Sequence, residues 1–476
     1  MPREEVNGRG KLWAQRVRLS TEARGEVARL TNHLALIVGR FSSSGLGFVA
    51  WMLVARLYPT AEVGIASGVI SAMMLCVQVA LLGVGAAVIS LFPQHQLRPG
   101  RLLNTALNLV MGTSLVAGLL FVALASTFFR ELSVVTSHLP YLLLFLGVTL
   151  FGAVNVLQDH VSIAVSQGGQ VLVRNVLHGG IIIVAVGAVP FLTGADSSSA
   201  IVFSWTLGGL AACALGIVQL SRSLPEYRYQ LAAKQELGVE LIRVGLPNYL
   251  LSLTERAPNW IIPIAIAELL SPVDNAHWYA AWMMAWVVFI VPMSIGQNLF
   301  AEISKNPSAY RTPVRRALKA SLVLGVAACV GAIALAPLFL TLLGESYAFA
   351  GATPLRILAL AVFPVAMVQA FYAVCRGTHR LGEATLIGLM SGVAGVTGAI
   401  AAGLAYGLIG VAVAWLAVQM VTAAWAAFRL FSPSQWHKRA VTLDADGSER
   451  ISTKLKPPAR ADEPGPSAEP RPPQFR

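Results

Sequence analysis

Long apolar runs recur along almost the whole chain, and they constrain the fold more than any other feature. A helix needs about 20 mostly apolar residues to cross a bilayer, and the sequence contains twelve runs of about that length. Only 33 charged side chains lie between residues 34 and 429, too few to cover a soluble surface. We therefore predict an all-α polytopic membrane protein with about 12 transmembrane helices. The predicted spans are 34–56, 64–91, 102–127, 139–158, 170–192, 199–221, 246–269, 277–300, 317–341, 352–374, 382–402 and 405–429.

Basic residues are distributed unequally between the two sides of these spans. If the N-terminus is cytoplasmic, 29 of the 35 lysines and arginines fall on the cytoplasmic side and 3 on the other side. Lys and Arg in short connections are retained in the cytoplasm. We therefore expect a multi-pass protein of the cytoplasmic membrane with both termini in the cytoplasm.

Polar segments flank the spans at both ends of the chain. Residues 1–33 form a basic segment that is too long and too charged for the start of a cleavable signal peptide. Apolar residues between positions 19 and 30 have helical spacing, which fits either an interfacial amphipathic helix or an ordinary solvated segment. Residues 430–476 are rich in proline and charge, so we expect a disordered cytoplasmic tail there.

Two short segments recur in the second half of the chain. Leu-Tyr-Pro at 57–59 matches Leu-Ser-Pro at 270–272, 213 residues later, and 164–168 matches 373–377, 209 residues later. The matches indicate either chance similarity between apolar helices or a six-helix unit repeated once. Because six is even, two such units would lie parallel around a central cavity. The predicted organisation is a bundle at 34–221, a cytoplasmic linker at 222–245 and a bundle at 246–429.

The seventh predicted span carries the deepest charges. Glu255 and Arg256 lie near its middle, and Pro247, Pro258 and Pro263 interrupt its helical hydrogen bonding. Ionisable groups inside a bilayer are costly and usually line a cavity or a pathway. A broken helix beside such charges indicates a functional site, although a structural ion pair between helices would give the same pattern.

Other polar residues in the spans allow two interpretations each. Arg40 and Arg174 either face a cavity or extend to the interface. Asp159 is a candidate cavity or coupling residue, although it also lies where water can reach it and is placed to pair with Arg174. Four amide side chains either line a cavity or join neighbouring helices: Asn155, Gln158, Gln78 and Gln369. We further expect two carboxylates at the outer rim, Glu268 and Asp274, to be solvated.

Patterns that would indicate an enzyme or a cofactor are absent from the sequence. No metal cluster is evident around His160, His178 or His379, since no second histidine lies at ligand spacing, and no glycine-rich phosphate loop precedes a Lys-Ser/Thr pair. The four cysteines lie in or beside apolar stretches, where they are expected to fill space. The outer connections are too short to hold catalytic groups. We expect neither catalysis, nor a cofactor, nor a metal, nor nucleic-acid binding.

A set of motifs along the chain resembles a known family. Arg56, Leu57, Pro59 and Gly64 precede a helix that leads to Leu-Gly-Val-Gly at 82–85. Gly-Leu-Pro opens the seventh span, Tyr279 begins the eighth, and Ala-Glu-Ile-Ser closes it. The order and spacing over about 34–429 resemble the polysaccharide-biosynthesis flippases that move lipid-linked oligosaccharides of the O-antigen type. That family lies within the multidrug/oligosaccharidyl-lipid/polysaccharide (MOP) exporter superfamily.

The resemblance implies two six-helix bundles around a central cavity that work by alternating access. The implied substrate is an undecaprenyl-diphosphate-linked oligosaccharide, flipped from the inner to the outer leaflet for surface polysaccharide biosynthesis. Guanidinium groups hold phosphate oxygens bidentately, so Arg40, Arg256 and Arg174 are candidates to bind the diphosphate. Glu255 would position Arg256 or take up a coupling proton. The expected partners are this substrate, membrane lipid, a polysaccharide polymerase and other assembly proteins.

Three alternatives remain at this stage. The chain could be a drug/cation antiporter of the same superfamily, although that function calls for carboxylates rather than arginines in the membrane. It could instead be a non-transport scaffold of a polysaccharide assembly complex, in which the basic tails would matter more than the cavity. An embedded enzyme is the third alternative, and turnover of a lipid-linked sugar by the purified protein would reveal it.

Overall fold

The computed structural model describes residues 42, 45–95, 99–224, 227–231 and 234–432. This part of the chain is helical and contains no strand. The helices of the first half are α1 (Gly45–Leu57), α2 (Thr60–Leu81), α3 (Val84–Leu91), α4 (Pro99–Phe128), α5 (Val134–Ser137), α6 (Leu139–Ala164), α7 (Gly168–Thr193) and α8 (Ser198–Ser223). Those of the second half are α9 (Gln235–Arg256), α10 (Pro258–Leu269), α11 (Pro272–Ile303), α12 (Arg311–Thr341), α13 (Glu345–Leu360), α14 (Val362–Gly377) and α15 (Leu381–Phe431).

Several predicted spans are built from two helices. Eight described helices are individually long and apolar enough to cross a membrane, and α13 with α14, bent by 43°, makes a ninth candidate. The second predicted span corresponds to α2 and α3, and the seventh to α9 and α10. α15 is two helices joined at Gly407, whose φ of 61° interrupts the helical backbone. The elements thus follow the order predicted for an all-α polytopic membrane protein.

The break between α2 and α3 is a left-handed turn of two residues. Leu82 has φ 47° and Gly83 has φ 79°. A Cβ atom on Gly245 of α9 would lie 2.2 Å from the carbonyl oxygen of Gly83. Glycine is therefore required on both sides of this contact, since only glycine leaves room for two backbones at that separation.

The seventh predicted span differs from the prediction at its start. α9 begins at Gln235, within the residues 222–245 that the sequence analysis assigned to the linker. The first turns of α9 carry charges and therefore lack the continuous apolar run by which spans are recognised. Just before α9, the described linker residues lie along α4: Asn104 donates to the carbonyl oxygen of Arg228 at 3.0 Å, and Asn108 donates to that of Gln230 at 2.9 Å.

The internal repeat is visible in the backbone. Left-handed residues occur at Ser166 and His379 and again at Gly194 and Gly407, and both pairs are 213 residues apart. This spacing equals that of the first sequence match. The second match, at 209, is therefore out of register by four residues, which is about one helical turn.

The two halves touch at the end of the helices that carries few arginines, which we call the arginine-poor end (residues 56–60, 129–139 and 268–275). Asn275 at the start of α11 donates to the carbonyl oxygen of Gly64 at 2.8 Å and to Ser67 Oγ at 3.0 Å, both on α2. Arg56 donates to the carbonyl oxygens of Thr341 and Leu342, at 3.0 and 2.8 Å.

Glu268 takes part in the same contact, and the expectation that it is solvated is wrong. Its carboxylate accepts the backbone N–H groups of Arg130, Glu131 and Leu132 at 2.7, 3.1 and 2.6 Å. These three consecutive N–H groups precede α5 and lack helical partners, so an anion placed there satisfies them. Asp274 is likewise engaged, because it accepts from the Ser271 hydroxyl and its backbone N–H donates to that oxygen.

Candidate functional site

The candidate site lies where α9 ends and α10 begins. Pro258 occupies the first position of α10, where its missing N–H and its ring interrupt the helix. Glu255 is in the last turn of α9 and is only 14% exposed. Its carboxylate accepts a hydrogen bond from Gln369 Nε2 and pairs with Arg376 Nη2 at 3.2 Å. Both partners lie on α14, so this ion pair joins the broken span to another helix of the same half.

Arg256 is the next residue and has a different environment. Its side chain is exposed, lines a cavity of about 70 Å³, and makes no hydrogen bond or ion pair to any described residue. Adjacent residues on a helix do not face each other, so Glu255 and Arg256 point in different directions. Glu255 forms the ion pair between helices that the sequence left as an alternative, with Arg376 of α14. Both residues line the cavity, but only the Arg256 guanidinium lacks a partner among the described residues.

The cavity beside Arg256 is lined entirely by the second half of the chain. α9, α10, α11, α14 and α15 contribute to its wall. The wall combines aromatic rings, amide side chains and charged groups, which is unusual at membrane depth and typical of a binding site for a polar ligand. The aromatic and amide side chains that line the cavity are Trp282, Trp286, Trp415, Tyr372, Phe289, Asn259, Gln369 and Gln419.

Arg174 lies apart from this cavity, in the first half. It is 2% exposed and pairs with Asp159 at 2.5 Å, the pair that the sequence allowed. Its remaining donors reach Gln219 Oε1 at 2.7 Å and Ser162 Oγ at 3.3 Å. All three guanidinium nitrogens thus have protein partners, which describes a buried structural arginine more closely than a ligand for phosphate.

Asn155 and Gln158 join α6 to α8. Asn155 donates to the carbonyl oxygen of Gly209 at 3.0 Å, and Gln158 donates to that of Cys213 at 3.2 Å. Gln158 also packs against Gly216, where a Cβ atom would lie 2.1 Å from its Oε1. Amide side chains that bridge helices in this way hold a bundle together.

Arg40, the third arginine proposed for the diphosphate, lies outside the described residues. Within the described ranges no group of three or more His, Cys, Asp or Glu side chains is arranged to hold a metal ion. The four cysteines are buried and form no disulfide.

Comparison with known proteins places the chain in a family. A family model described as "Polysaccharide biosynthesis protein" matches residues 30–300, which is more than half of the sequence. The chain belongs to the polysaccharide biosynthesis protein family. The matched residues include Glu255 and Arg256, whereas Gln369 and Arg376 lie beyond them. No curated protein matches the chain.

Solved structures with the same fold belong to the MOP superfamily. An inward-facing multidrug resistance MATE family transporter is 16% identical with a TM-score of 0.66, covering 82% of this chain and 94% of that one. The lipid II flippase MurJ in an inward closed conformation is 14% identical with a TM-score of 0.67, covering 83% and 87%. A MOP superfamily transporter from Pyrococcus furiosus is 14% identical with a TM-score of 0.59, covering 85% and 95%. These likenesses establish the fold of this polysaccharide biosynthesis protein, including the two-bundle architecture.

In this family member the partners of Glu255 were not predicted from sequence, although Gln369 was a candidate for a cavity or a helix contact. It assigned Arg376 to a cytoplasmic connection, but α14 continues to Gly377 and keeps that arginine within the helix, 21% exposed. Gln369 and Arg376 are seven residues apart, which places them on one helix face two turns from each other. That spacing was the available signal; the packing of this face against α9 was not visible in sequence.

Proposed function

We propose that this polysaccharide biosynthesis protein is a transporter that flips an undecaprenyl-diphosphate-linked oligosaccharide. The substrate would pass from the inner to the outer leaflet of the cytoplasmic membrane, for surface polysaccharide assembly. Membership of the family supports the biosynthetic context. The fold shared with a MATE family transporter and with the lipid II flippase MurJ supports movement across the membrane by alternating access.

The observation that carries the proposal is the unpaired guanidinium of Arg256 in the cavity. A cation at membrane depth is costly unless it has a partner, and among the described residues Arg256 has none. A diphosphate carried through the membrane needs cationic partners, and a guanidinium binds phosphate oxygens bidentately. Arg256 is therefore the proposed ligand of the diphosphate, with Arg40 as a second candidate, while the polyprenyl chain stays in lipid.

The neighbouring ion pair supports an anionic rather than a cationic substrate. Glu255 is the carboxylate nearest to Arg256 along the chain, and its charge is balanced by Arg376. The uncompensated charge that faces the cavity is thus positive, which attracts phosphate and repels a cationic drug. The proposed role of Glu255 is to fix the end of α9, and so the direction of Arg256, rather than to attract a cation.

Alternating access requires the halves to separate at one end and then at the other. In the proposed orientation the arginine-poor end faces outward, as the distribution of basic residues indicates. The contacts of Asn275, Arg56 and Glu268 with the other half close this end in the structure. They would have to break before the oligosaccharide reaches the outer leaflet.

The proposal is tested by measuring the amount of surface polysaccharide in cells that depend on this chain. Arg256→Ala should abolish the surface polysaccharide. Arg256→Lys should retain part of it, because an ammonium supplies the charge without the bidentate geometry. Arg130→Ala is the matched control, since the Arg130 side chain is 92% exposed. Immunoblots of membrane fractions verify equal insertion. Full surface polysaccharide with Arg256→Ala at normal protein levels would refute the assigned role of Arg256.

A further inference from the structure

We infer that the cavity beside Arg256 is a saccharide-binding subsite, and this inference rests on the proposed function. Its lining includes the aromatic rings of three tryptophans, Trp282, Trp286 and Trp415, together with Tyr372, which we call the aromatic wall. The C–H face of a sugar ring is apolar and packs flat on an aromatic ring, while its hydroxyl groups point outward and need hydrogen-bond partners. A sugar site therefore combines aromatic faces with polar side chains, and this cavity contains both.

The aromatic wall is held in place before any ligand arrives. The rings of Trp282 and Trp415 meet edge to face, with centroids 5.1 Å apart and planes at 88°. Trp282 also stacks on Trp278 at 5.8 Å and contacts Phe289 at 6.0 Å. Such contacts fix the ring orientations, so the wall offers a rigid surface and little side-chain freedom is lost on binding.

Trp286 is the ring best placed to contact a ligand. It lies one helical turn after Trp282 on α11 and remains partly exposed. No described aromatic ring packs against it, whereas Trp282 and Trp415 are 7% and 5% exposed and hold each other. Trp286 thus packs against the hydrophobic core and still exposes part of its ring, while Trp282 and Trp415 are buried and contact each other.

The polar part of the wall has unused hydrogen-bonding capacity. Asn259 on α10 and Gln419 on α15 line the cavity and make no hydrogen bond to any described residue. An apolar ligand would cover these partly exposed amide groups without offering them partners, which costs free energy. Each amide can both donate and accept, which suits hydroxyl groups. A hydrocarbon ligand would leave these groups unsatisfied.

The size of the cavity limits what it holds. Its volume of about 70 Å³ is space for roughly five water molecules. That is about half of the roughly 150 Å³ that holds one benzene ring, so the cavity as it stands encloses only part of one sugar ring. The subsite would therefore contact a single sugar of the substrate, with Arg256, which also lines the cavity, free to hold the diphosphate.

Aromatic cavities also bind cations, and the charges here distinguish the two ligand classes. A cation over a tryptophan face gains electrostatic stabilisation. In this cavity, however, the Glu255 carboxylate is balanced by Arg376, and Arg256 adds an uncompensated positive charge. A neutral, hydroxylated ring meets no such repulsion.

Binding to the purified full chain tests the inference directly. The probe is the water-soluble oligosaccharide released by mild acid from the lipid-linked precursor of the host, titrated calorimetrically in detergent. Trp286→Ala should weaken binding at least tenfold, Gln419→Ala should weaken it several-fold, and Trp286→Phe should restore most of it. Phe349→Ala, at a side chain 92% exposed on α13, is the matched control and should bind normally.

Either of two binding results would overturn the inference. One is the absence of oligosaccharide binding by the wild-type chain. The other is unchanged binding by Trp286→Ala and Gln419→Ala. Saturable binding of tetraphenylphosphonium that is lost in Trp286→Ala, without oligosaccharide binding, would assign the aromatic wall to cations instead.

A second experiment separates this inference from the proposed function. Vesicles containing the chain are loaded either with the lipid-linked oligosaccharide or with undecaprenyl diphosphate that lacks sugar, and movement between leaflets is followed. Arg256→Ala should slow both lipids, whereas Trp286→Ala should slow only the sugar-bearing one. Equal slowing of both by Trp286→Ala would overturn the saccharide subsite. If the wild type moves neither lipid, the proposed function fails, and the binding titration alone decides the subsite.

Discussion

Neighbouring residues in this membrane protein have different roles because a helix turns about 100° per residue. Both residues line the cavity, but Glu255 is compensated by Arg376 of α14, while Arg256 has no partner among the described residues. Depth in the predicted span was enough to single out both residues from sequence. The division of roles between them depends on which helices pack around α9, and hydropathy carries no information about that.

The ion pair between Glu255 and Arg376 should behave as a unit. Glu255→Gln leaves the arginine uncompensated in a largely buried place, so we expect a loss of stability on the order of 2 kcal/mol. Arg376→Gln should cost a similar amount, and the double variant should recover much of the loss. Thermal unfolding in detergent of all four forms measures the coupling. Additive losses would show that the contact contributes no stability.

The other candidate residues also differ in whether protein groups already bind their side chains. The sequence placed Asp159 to pair with Arg174, but it did not reveal that Gln219 and Ser162 accept from the other guanidinium donors, because those contacts depend on how three helices pack. Asn155 was equally ambiguous until α8 was seen against α6. Sequence therefore identified which polar residues enter the membrane. Tertiary packing decides which are already satisfied and which remain available to a ligand.

Helix breaks are the elements that shape the site. α2 breaks at Leu82 and Gly83, and α9 ends at the proline that begins α10. The prolines made the second break predictable. The break between α2 and α3 was not predicted, since glycines are its only sequence signal and a left-handed turn does not change the hydropathy. The early start of α9 escaped prediction because its first turns are polar.

The contact between Gly83 and Gly245 gives a prediction at this scale. Gly245→Ala places a methyl group 2.2 Å from the backbone oxygen of Gly83, in the turn between α2 and α3, so this turn and α9 must separate. We expect a loss of about 2 kcal/mol and a clear drop in transport. Gly187→Ala on α7 is the matched control, because nothing lies within 4 Å of its added Cβ.

Thermal unfolding and transport assays of the two glycine variants check this prediction. The control should remain within a degree or two of the wild type, since its methyl group enters open space. If Gly245→Ala is as stable and as active as Gly187→Ala, the close approach of the two backbones is not required for stability or transport.

For the molecule as a whole, the two halves meet at the arginine-poor end through several polar contacts. Glu268 accepts three backbone N–H groups of the other half, and Asn275 bonds to α2. The repeated left-handed turns, 213 residues apart, show that the halves share one backbone plan. The sequence repeat predicted this plan. The interface between the halves was not predictable, because its residues are polar and lie in short connections.

Weakening this interface should favour the state open at the arginine-poor end. Glu268→Ala removes three charge-assisted hydrogen bonds, which corresponds to about 2 kcal/mol or more. The opening of this end is followed with Ser67→Cys in a chain whose native cysteines are replaced by alanine. Ser67 is buried at this contact, so its replacement becomes accessible only when the halves separate. A membrane-impermeant maleimide applied outside should label it at least ten times faster with Glu268→Ala. Glu131→Ala is the control, and equal labelling rates would contradict the assigned role of Glu268.

Movement of the lipid-linked oligosaccharide between leaflets by the purified protein is the decisive measurement of flippase activity. Vesicles carry radiolabelled polyprenyl-diphosphate oligosaccharide, and an enzyme added outside reports its exposure over time. We expect the wild type to accelerate exposure of the oligosaccharide. Arg256→Ala should give no acceleration, and Arg130→Ala should give the wild-type rate. No acceleration by the wild type under any imposed ion gradient, or full acceleration by Arg256→Ala, would contradict it.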